Sequence, residues 1–399
     1  MARVVPIDSP STRAVPSPPR RLVAAAPYLL LLSLAVRVAV TYLMPNGSNF
    51  IDLHVYVDGA AAIDRGELYL FTYHPATPPL PLQFTYPPFA ALLFYPLHWL
   101  PFPVVGLGWQ VGVAAALYGG VSLTLLLLGR YDARMAMLWT AVGVWIEPAR
   151  HLFELGQIGA LLMVMVLAAV YSNRWWLSGV LVGLAAGVKL TPAVSGLYFL
   201  GARRWRVVVS SAAVFLVTVT VSVVVLRDQG VYYFTDLLGR ADRVGQVGLS
   251  TNQSLRGVVA LVTGRDDGYG PLLIGLVALT VALAALAWRA VDADDRLGRI
   301  LVVMTLGLLL SPVSWTHHWI WLLPLIMWLF YGSLRERTRV LGWVWLVLAF
   351  AGTPWIVQAL RESGEIEKVT WYVALAGAAY VLGALVTLGY LASLSRRSR

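Results

Sequence analysis

A few ionisable and amide side chains interrupt a strongly apolar chain, and these are the side chains that could do chemistry. Hydrophobic residues make up 59% of the 399 residues and charged residues only 13%, a composition for which lipid is the natural solvent. A charged group costs roughly 2.5–3.5 kcal/mol at the centre of a membrane helix, so such groups are candidates for function. The candidates are Asp52, Glu147, Gln157, Lys189, Asn252, Gln253, Arg256, His317 and His318.

Asp52 begins a helix-like stretch that runs to Arg65 and is stopped by Gly66. Its carboxylate is a candidate general base, although it could also simply cap the N-terminus of the helix. At 100° per residue, Tyr56 shares the face of Asp52, whereas Asp58 lies well round the helix. We therefore do not expect a two-carboxylate site on this helix.

Lys189 and Arg256 are the two cations that we expect to have a functional role. Lys189 lies far from the basic loops, and Pro192 breaks the helix beside it, so a purely snorkelling role is the weaker interpretation. Arg256 follows Asn252 and Gln253 in a long loop.

Two adjacent histidines, His317 and His318, lie between two late apolar segments. One of them could orient a substrate or share a proton, and the other is then structural. Glu147 and Gln157 lie at one end of the helix pair that spans 135–171, on the side where the other candidates gather.

Apolar segments long enough to span, or to form half-helices that meet inside a membrane, recur along the chain. They predict an all-α polytopic membrane protein of about 12 transmembrane helices. The segments are Leu22–Met44, Val104–Leu128, Met135–Glu147, Gln157–Tyr171, Leu177–Lys189, Leu190–Leu200, Val207–Leu226, Pro271–Trp288, Ile300–Ser314, Trp319–Tyr331, Val340–Val357 and Trp371–Leu394.

The arginine distribution predicts the orientation of these helices. With both termini in the cytoplasm, most basic residues fall in short cytoplasmic loops and most acidic residues fall outside, as the positive-inside rule requires. This places a disordered tail (1–21) and a basic tail (395–399) in the cytoplasm, and one transmembrane domain at 22–394. Two long periplasmic loops, 45–103 and 227–270, form a cap, and every candidate lies on that face. The piece 89–100 is re-entrant or interfacial in this arrangement.

Several other classes of protein are poorly supported. The net charge of +10 follows from topology, so it does not indicate nucleic acid. The absence of cysteine excludes disulfides, thiolate metal sites and a Cys nucleophile. The chain has no Walker A loop and no His-Glu-x-x-His motif. Asp292-Ala-Asp294 fits a metal-binding pattern, but it lies in a basic cytoplasmic loop away from the other candidates.

Short motifs in a specific order give the chain a family resemblance over roughly residues 28–330. It resembles the polyprenol-phosphate-dependent integral membrane glycosyltransferases of the GT-C fold, glycosyltransferase family 87. Residues 55–62, 136–148 and 175–205 are most similar to members that add α-(1→2)-linked mannose to phosphatidylinositol mannosides. The motifs are Phe50-Ile-Asp-Leu-His-Val-Tyr, Leu68-Tyr69, Tyr86-Pro-Pro-Phe-Ala, Gly156-Gln157, Lys189-Leu-Thr-Pro, Asn252-Gln-Ser-x-Arg-Gly and Ser311-Pro-Val-Ser-Trp-x-His-His.

The resemblance implies a role for each candidate. Asp52 is the expected base, Asp58 is a departure from the motif, and the family's late histidine maps best to His317, with His318 as the alternative. The donor is expected to be polyprenyl-phosphate-mannose and the acceptor a phosphatidylinositol mannoside. Mannose is expected to be transferred with inversion at its anomeric carbon and without a metal cofactor. Lys189 and Arg256 are expected to stabilise the charge on the leaving lipid phosphate. The remaining candidates are expected to bind the substrates as well, namely Asn252, Gln253, Gln157, Glu147, Tyr56 and Tyr86.

Two other functions stay open. A sister enzyme that uses polyprenyl-phospho-arabinose would share the fold and the base. A lipid-linked sugar flippase or transporter would need a polar path across the bilayer, whereas the polar candidates here gather at one face.

Overall fold

The structure, a computed structural model, describes residues 19–45, 47–75, 81–240, 243–366 and 368–395. Most of the two predicted tails, 1–21 and 395–399, lies outside these residues. The first helix begins at Arg20, within the predicted N-terminal tail.

The described chain is almost entirely helical, with one small hairpin of two strands. The α-helices are α1 (Arg20–Leu43), α2 (Ile51–Ala61), α3 (Pro88–Phe94), α4 (Phe102–Leu127), α5 (Ala133–Gly143), α6 (Glu147–Leu155), α7 (Gly159–Tyr171), α8 (Trp175–Val188), α9 (Gly196–Gly201), α10 (Trp205–Leu226), α11 (Asp228–Tyr232), α12 (Leu255–Thr263), α13 (Pro271–Ala290), α14 (Arg296–Leu310), α15 (Leu322–Tyr331), α16 (Arg335–Ala351), α17 (Thr353–Glu362), α18 (Trp371–Gly377) and α19 (Ala379–Ser395). Short 3₁₀-helices cover Ala62–Arg65, Tyr95–Trp99, Thr191–Ser195 and Thr316–Trp321, a π-helical turn covers Tyr233–Leu237, and the strands are β1 (Thr72–Tyr73) and β2 (Leu82–Gln83).

Five helical segments of the described chain are long and apolar enough to cross a membrane. The bent pair α18–α19, with 74° between its parts, would make a sixth. This is what a multi-pass membrane protein requires. The other predicted spans correspond to shorter helices such as α7 and α8, so the number of twelve stays a prediction.

Helices α8 and α10 pack closely through a row of glycines. Gly179, Gly183 and Gly187 recur every four residues on one face of α8, and an added Cβ at each would meet a residue of α10 within 2.6 Å. Small residues at this spacing let two membrane helices approach. Gly179 and Gly183 are therefore packing positions between the two helices.

The first long loop folds into a compact unit above the start of α4. It contains α2, the hairpin β1–β2 and α3. Its buried side chains form a second core, to which buried residues of α4, α7, α8 and α10 also contribute. Helix α2 continues as a 3₁₀-turn and ends at Gly66, whose φ of 72° is left-handed, as predicted. Helix α3 and the 3₁₀-turn after it are only 7 and 5 residues long, so the piece 89–100 is too short to span.

Candidate functional site

The position of Asp52 is set by contact between the beginning of α2 and the end of α6. The backbone N–H of Phe50 donates to the carbonyl of Glu154 at 3.0 Å. Phe50, with a φ of 45°, is the residue that precedes the helix, and it makes no side-chain capping bond. Asp52 lies in the first turn of α2. It is therefore not the N-cap of its helix, and capping does not account for this carboxylate.

Gly156 lets α6 approach α2 closely. It ends α6 with a φ of 74°, and a Cβ added there would lie 2.5 Å from the Cβ of Leu53. A side chain here would have to push away the residue next to Asp52. The two residues of Gly156-Gln157 therefore have different roles. The glycine allows α2 to approach closely, and the glutamine side chain faces α2.

We expect Gly156→Ala to lower the free energy of unfolding by about 3 kcal/mol. The cost of an unfavourable left-handed backbone adds to the cost of an overpacked contact. Gly66→Ala is the matched control, because Gly66 is equally left-handed but has open space around it. It should cost only about 1 kcal/mol. Thermal unfolding of both variants in detergent measures the difference. If the two variants were destabilised equally, the close contact with Leu53 would contribute nothing to the cost of Gly156→Ala.

Gln157 gathers three polar side chains at the base of the first loop. Its Oε1 accepts hydrogen bonds from the hydroxyls of Tyr56 at 3.0 Å and Tyr86 at 3.3 Å, and these two hydroxyls are 2.8 Å apart. Gln157 also hydrogen-bonds Asp52. The structure thus brings Asp52, Gln157, Tyr56 and Tyr86 together as the sequence predicts.

Burial tunes the acid–base character of this cluster. Loss of solvent raises the pKa of Asp52 to about 6, although the hydrogen bond from Gln157 and the charge of Lys189 act in the opposite direction. Burial also holds the pKa of Tyr56 and Tyr86 above the usual range, so both phenols stay protonated. A carboxylate with such a pKa is ionised at neutral pH and accepts a proton more readily than an ordinary aspartate.

Lys189 joins the carboxylate cluster to the late histidines. Helix α8 ends at Val188, and Lys189 is extended, with φ −148° and ψ 132°. Its ammonium group donates to the Tyr86 hydroxyl at 3.2 Å and to Nε2 of His318 at 3.0 Å. The predicted helix break thus turns Lys189 away from lipid and towards Asp52.

These groups line one cavity of about 300 Å³. It lies between the first long loop, the break after α8, the second long loop and the segment that precedes Thr316–Trp321. Asp52, Gln157, Lys189, Tyr86 and His318 all contribute to its wall. A volume of this size accommodates a sugar and its phosphate.

The cavity wall also includes residues that the sequence analysis did not select. They include Arg240, Arg243, Tyr233 and Trp315. Arg243 donates to Gln83 Oε1 at 2.8 Å, which fixes its side chain against strand β2. The only sequence signal was the surplus of arginine in the second outer loop, and that signal does not single out a residue.

Asn252 and Gln253 lie outside the cavity wall and hold the backbone together. Asn252 accepts from the N–H of Ser314 at 2.9 Å and forms an isolated bridge with Trp315. Gln253 donates to the carbonyl of Ser250 and accepts from the N–H of Tyr380 at 3.0 Å. In this geometry they position the cavity wall, and direct contact with substrate is not supported.

Arg256 and His317 also lie away from the cavity. Arg256 forms a two-pronged ion pair with Asp266, at 2.9 and 2.7 Å, so its charge is directed elsewhere. His317 is buried and does not line the cavity, whereas its neighbour His318 does. Arg243 and His318 therefore line the cavity, whereas Arg256 and His317 do not. The two histidines differ because successive residues of a 3₁₀-turn point in different directions.

Glu147 belongs to a separate buried polar cluster behind the site. Its carboxylate accepts from the Tyr380 hydroxyl at 2.6 Å and lies 3.3 Å from His151. His151 continues to Glu154, which pairs with buried Arg37 at 3.1 Å. This cluster ties α1, α6 and α19 together and holds the end of α6 that supports α2. Direct substrate binding by Glu147 is therefore not supported.

Comparison with known proteins identifies the family of this chain. The model of Glycosyltransferase family 87 matches residues 84–312. A polyprenol-phosphate-mannose-dependent alpha-(1-2)-phosphatidylinositol pentamannoside mannosyltransferase of Mycolicibacterium smegmatis is 54% identical over 397 residues, 98% of this chain and 96% of the relative. A protein of the same description from Mycobacterium tuberculosis is 52% identical over 410 residues, 100% of this chain and 95% of the relative.

A more distant relative lies within the same group. The polyprenol-phosphate-mannose-dependent alpha-(1-2)-phosphatidylinositol mannoside mannosyltransferase of M. tuberculosis is 33% identical over 361 residues, 85% of this chain and 83% of the relative. No solved structure matches the chain. The full-length similarity and the family match agree with the motif order, and the chain belongs to glycosyltransferase family 87.

Proposed function

We propose that this protein transfers mannose from polyprenyl-phosphate-mannose to a phosphatidylinositol mannoside, forming an α-(1→2) linkage on the periplasmic face of the cell membrane. The observation that carries the proposal is the cavity in which Asp52, Lys189 and His318 meet. The near-complete coverage of two relatives that carry this description supports the substrates. A GT-C fold of about twelve spans, with both termini in the cytoplasm, completes the proposal.

Asp52 is the general base of the proposed reaction. The donor has a β linkage and the product an α linkage, so one in-line displacement suffices and a second carboxylate is not needed. The acceptor 2-hydroxyl oxygen forms a bond to C1 of mannose as its proton passes to Asp52. The bond between C1 and the phosphate oxygen breaks, and its electron pair stays on the polyprenyl phosphate.

Lys189 stabilises the charge that develops on the leaving phosphate. The ammonium group lies at the cavity wall beside Tyr86 and His318, where little water competes with it. Arg243 lines the same cavity and presents a second cation. Since the leaving group is a phosphate monoester and not a nucleotide diphosphate, these side chains can stabilise it without a metal ion.

His318 orients the ammonium group of Lys189. Its Nε2 accepts a hydrogen bond from that group, which requires the neutral imidazole at this nitrogen. A histidine held in this way does not act as the base, so proton transfer stays with Asp52. This assigns His318 a positioning role in place of the acceptor-orienting role that the sequence analysis gave to His317.

The rate should depend on pH through Asp52. We expect kcat/KM to fall about tenfold per pH unit below pH 6, because the protonated carboxyl cannot accept the acceptor's proton. Between its pKa of about 6 and neutral pH the rate should become level. Initial rates between about pH 5 and about pH 8, with melting temperature as a control for unfolding, measure this profile. A midpoint near the ordinary aspartate value would contradict a desolvated base.

Mannose transfer by the purified full chain tests the function directly. We expect radiolabelled polyprenyl-phosphate-mannose and a phosphatidylinositol tetramannoside to give an α-(1→2)-linked product. Polyprenyl-phospho-arabinose is the competing donor, and faster transfer of arabinose would favour the sister activity. Proteoliposomes loaded with fluorescent lipid-linked sugar test transport, and sugar movement without any glycoside product would contradict a transferase.

A further inference from the structure

A second basic pocket lies outside the catalytic cavity, and none of the roles above uses it. This acceptor pocket is open, has a volume of about 470 Å³, and is lined by Arg265, Arg361 and Lys368 with a single carboxylate, Asp266. It lies where the ends of α12 and α17 meet the segment before α18. The charge pattern assigns this region to the outer side of the membrane.

Two carboxylates beside the acceptor pocket, Asp266 and Asp267, are already paired with arginines. Asp266 accepts the two-pronged ion pair from Arg256, and the exposed Asp267 lies 2.9 Å from Arg265. The pocket therefore does not present free negative charge from these two groups.

Two cations of the acceptor pocket are available to a ligand. Among the residues that the structure describes, neither Arg361 nor Lys368 forms an ion pair. The Nη1 atom of Arg361 is buried and has no hydrogen-bond partner in that part of the chain. A buried donor without a partner is costly, and a guanidinium group forms charge-assisted hydrogen bonds with anions that have several oxygens.

Exposed aromatic residues place the acceptor pocket at the level of lipid headgroups. Tyr269 is 59% exposed and immediately precedes the membrane-spanning helix α13, and Trp371 and Tyr372, 75% and 58% exposed, begin α18. Exposed Tyr and Trp at the ends of spanning helices mark the boundary between membrane and water. A lipid phosphate lies at this depth.

One short segment separates the acceptor pocket from the catalytic cavity. Val244 lines the cavity, and Gln246, two residues later, lines the pocket, so their Cα atoms are no more than about 7 Å apart. The segment is fixed to α17 because the N–H and the hydroxyl of Ser250 both donate to Gln358 Oε1, at 3.2 and 3.1 Å. A ligand bound in the pocket therefore keeps a fixed relation to Asp52.

We propose that the acceptor pocket binds the phosphodiester of the acceptor glycolipid, an inference that rests on the proposed function. The reaction transfers mannose from one membrane lipid to another, and each of the two lipids carries one phosphate. Lys189 and Arg243 hold the donor phosphate in the cavity, and Arg361 and Lys368 hold the acceptor phosphate at the membrane surface. The acceptor's glycan then reaches from the pocket into the cavity, which presents its terminal 2-hydroxyl to Asp52.

A comparison of two acceptors tests this assignment. In Arg361→Gln/Lys368→Gln, the KM of the phosphatidylinositol mannoside should rise about tenfold, through loss of two charge-assisted contacts, at unchanged kcat and donor KM. A phosphate-free alkyl mannoside should show no change. Arg361→Lys/Lys368→Arg should restore most of the affinity. Arg65→Gln is the control, since Arg65 is an exposed arginine of the first loop that pairs with Glu67.

Equal loss with both acceptors, or with neither, would overturn the proposal. Exposed Lys368 carries little packing, so Lys368→Gln alone guards against misfolding of the double variant and should raise the KM about threefold, through loss of one of the two charges. An unchanged KM in this single variant would also count against the assignment.

Lipid binding gives a readout that does not need mannose transfer. Native mass spectrometry of the full chain should show weaker binding of phosphatidylinositol mannoside to the double variant than to the wild type or Arg65→Gln. Free inositol phosphate should compete only weakly. Equal binding of phosphatidylglycerol would reveal a site for any anionic lipid and overturn the acceptor assignment. Charge-dependent binding of the mannoside without any mannose transfer would instead contradict the proposed function and leave the lipid site standing.

Discussion

Asp52→Asn should lower kcat by about 10²–10⁴-fold, the range expected when a general base is lost from a single displacement. Asparagine keeps the shape of aspartate and can still hydrogen-bond Gln157, so the fold and the cavity should be preserved. It cannot accept the acceptor's proton at any ordinary pH. The measurement is mannose transfer at saturating donor and acceptor, together with the melting temperature of the variant. The residual rate should also lose its dependence on pH near 6, which is where Asp52 titrates.

The matched control for this prediction is Asp58→Asn, on the same helix. Asp58 pairs with Nδ1 of His54 at 3.0 Å and is not part of the cavity wall. This variant should retain kcat within about threefold, as expected of a surface ion pair. A large loss in Asp58→Asn with normal activity in Asp52→Asn would move the base one and a half turns along α2. Normal activity in both variants would show that the general base does not lie on α2.

The sequence predicted the helical framework well because lipid imposes a simple rule on it. Long apolar runs must form helices in a membrane, since no water is present to satisfy the backbone. The runs at 22–44, 104–128, 207–226 and 271–288 each correspond to one long helix. The run at 371–394 instead contains a sharp bend after Gly377. Hydropathy shows whether a segment is apolar, but it does not show whether the helix in that segment is straight or bent.

Half of the site was predictable because it depends on helix geometry. A rotation of 100° per residue placed Tyr56 on the same face of the helix as Asp52, and it placed Asp58 on a different face. Pro192 indicated the helix break beside Lys189. The structure confirms both arrangements. Local spacing is sufficient for residues that belong to one turn or one break.

The other half depends on long-range packing that spacing does not encode. His318 faces the cavity and His317 does not, which follows from how the turn Thr316–Trp321 packs against its neighbours. Arg243 enters the cavity because strand β2 holds it through Gln83. Arg256 is drawn away by Asp266, ten residues later in the same loop. None of these partners is adjacent in sequence.

Lys189→Gln should lower kcat by about 10²–10³-fold, as expected when one preorganised group that stabilises developing charge is removed. The substitution keeps a polar side chain beside Tyr86 and His318, so the cavity should remain formed, but the leaving phosphate loses its nearest cation. The sequence placed Lys189 and Arg256 in the same role, and the structure separates them. Arg256→Gln should leave kcat at saturating acceptor within about threefold, because its charge is already neutralised by Asp266 outside the cavity.

Rates measured with donors that carry better and poorer leaving groups distinguish stabilisation of the transition state from binding of the donor. If Lys189 stabilises the departing phosphate, the variant should be most impaired with the poorer leaving group, where more negative charge needs support in the transition state. An equal loss with every donor would assign Lys189 to ground-state binding, and a large loss in Arg256→Gln would return the phosphate site to the second outer loop.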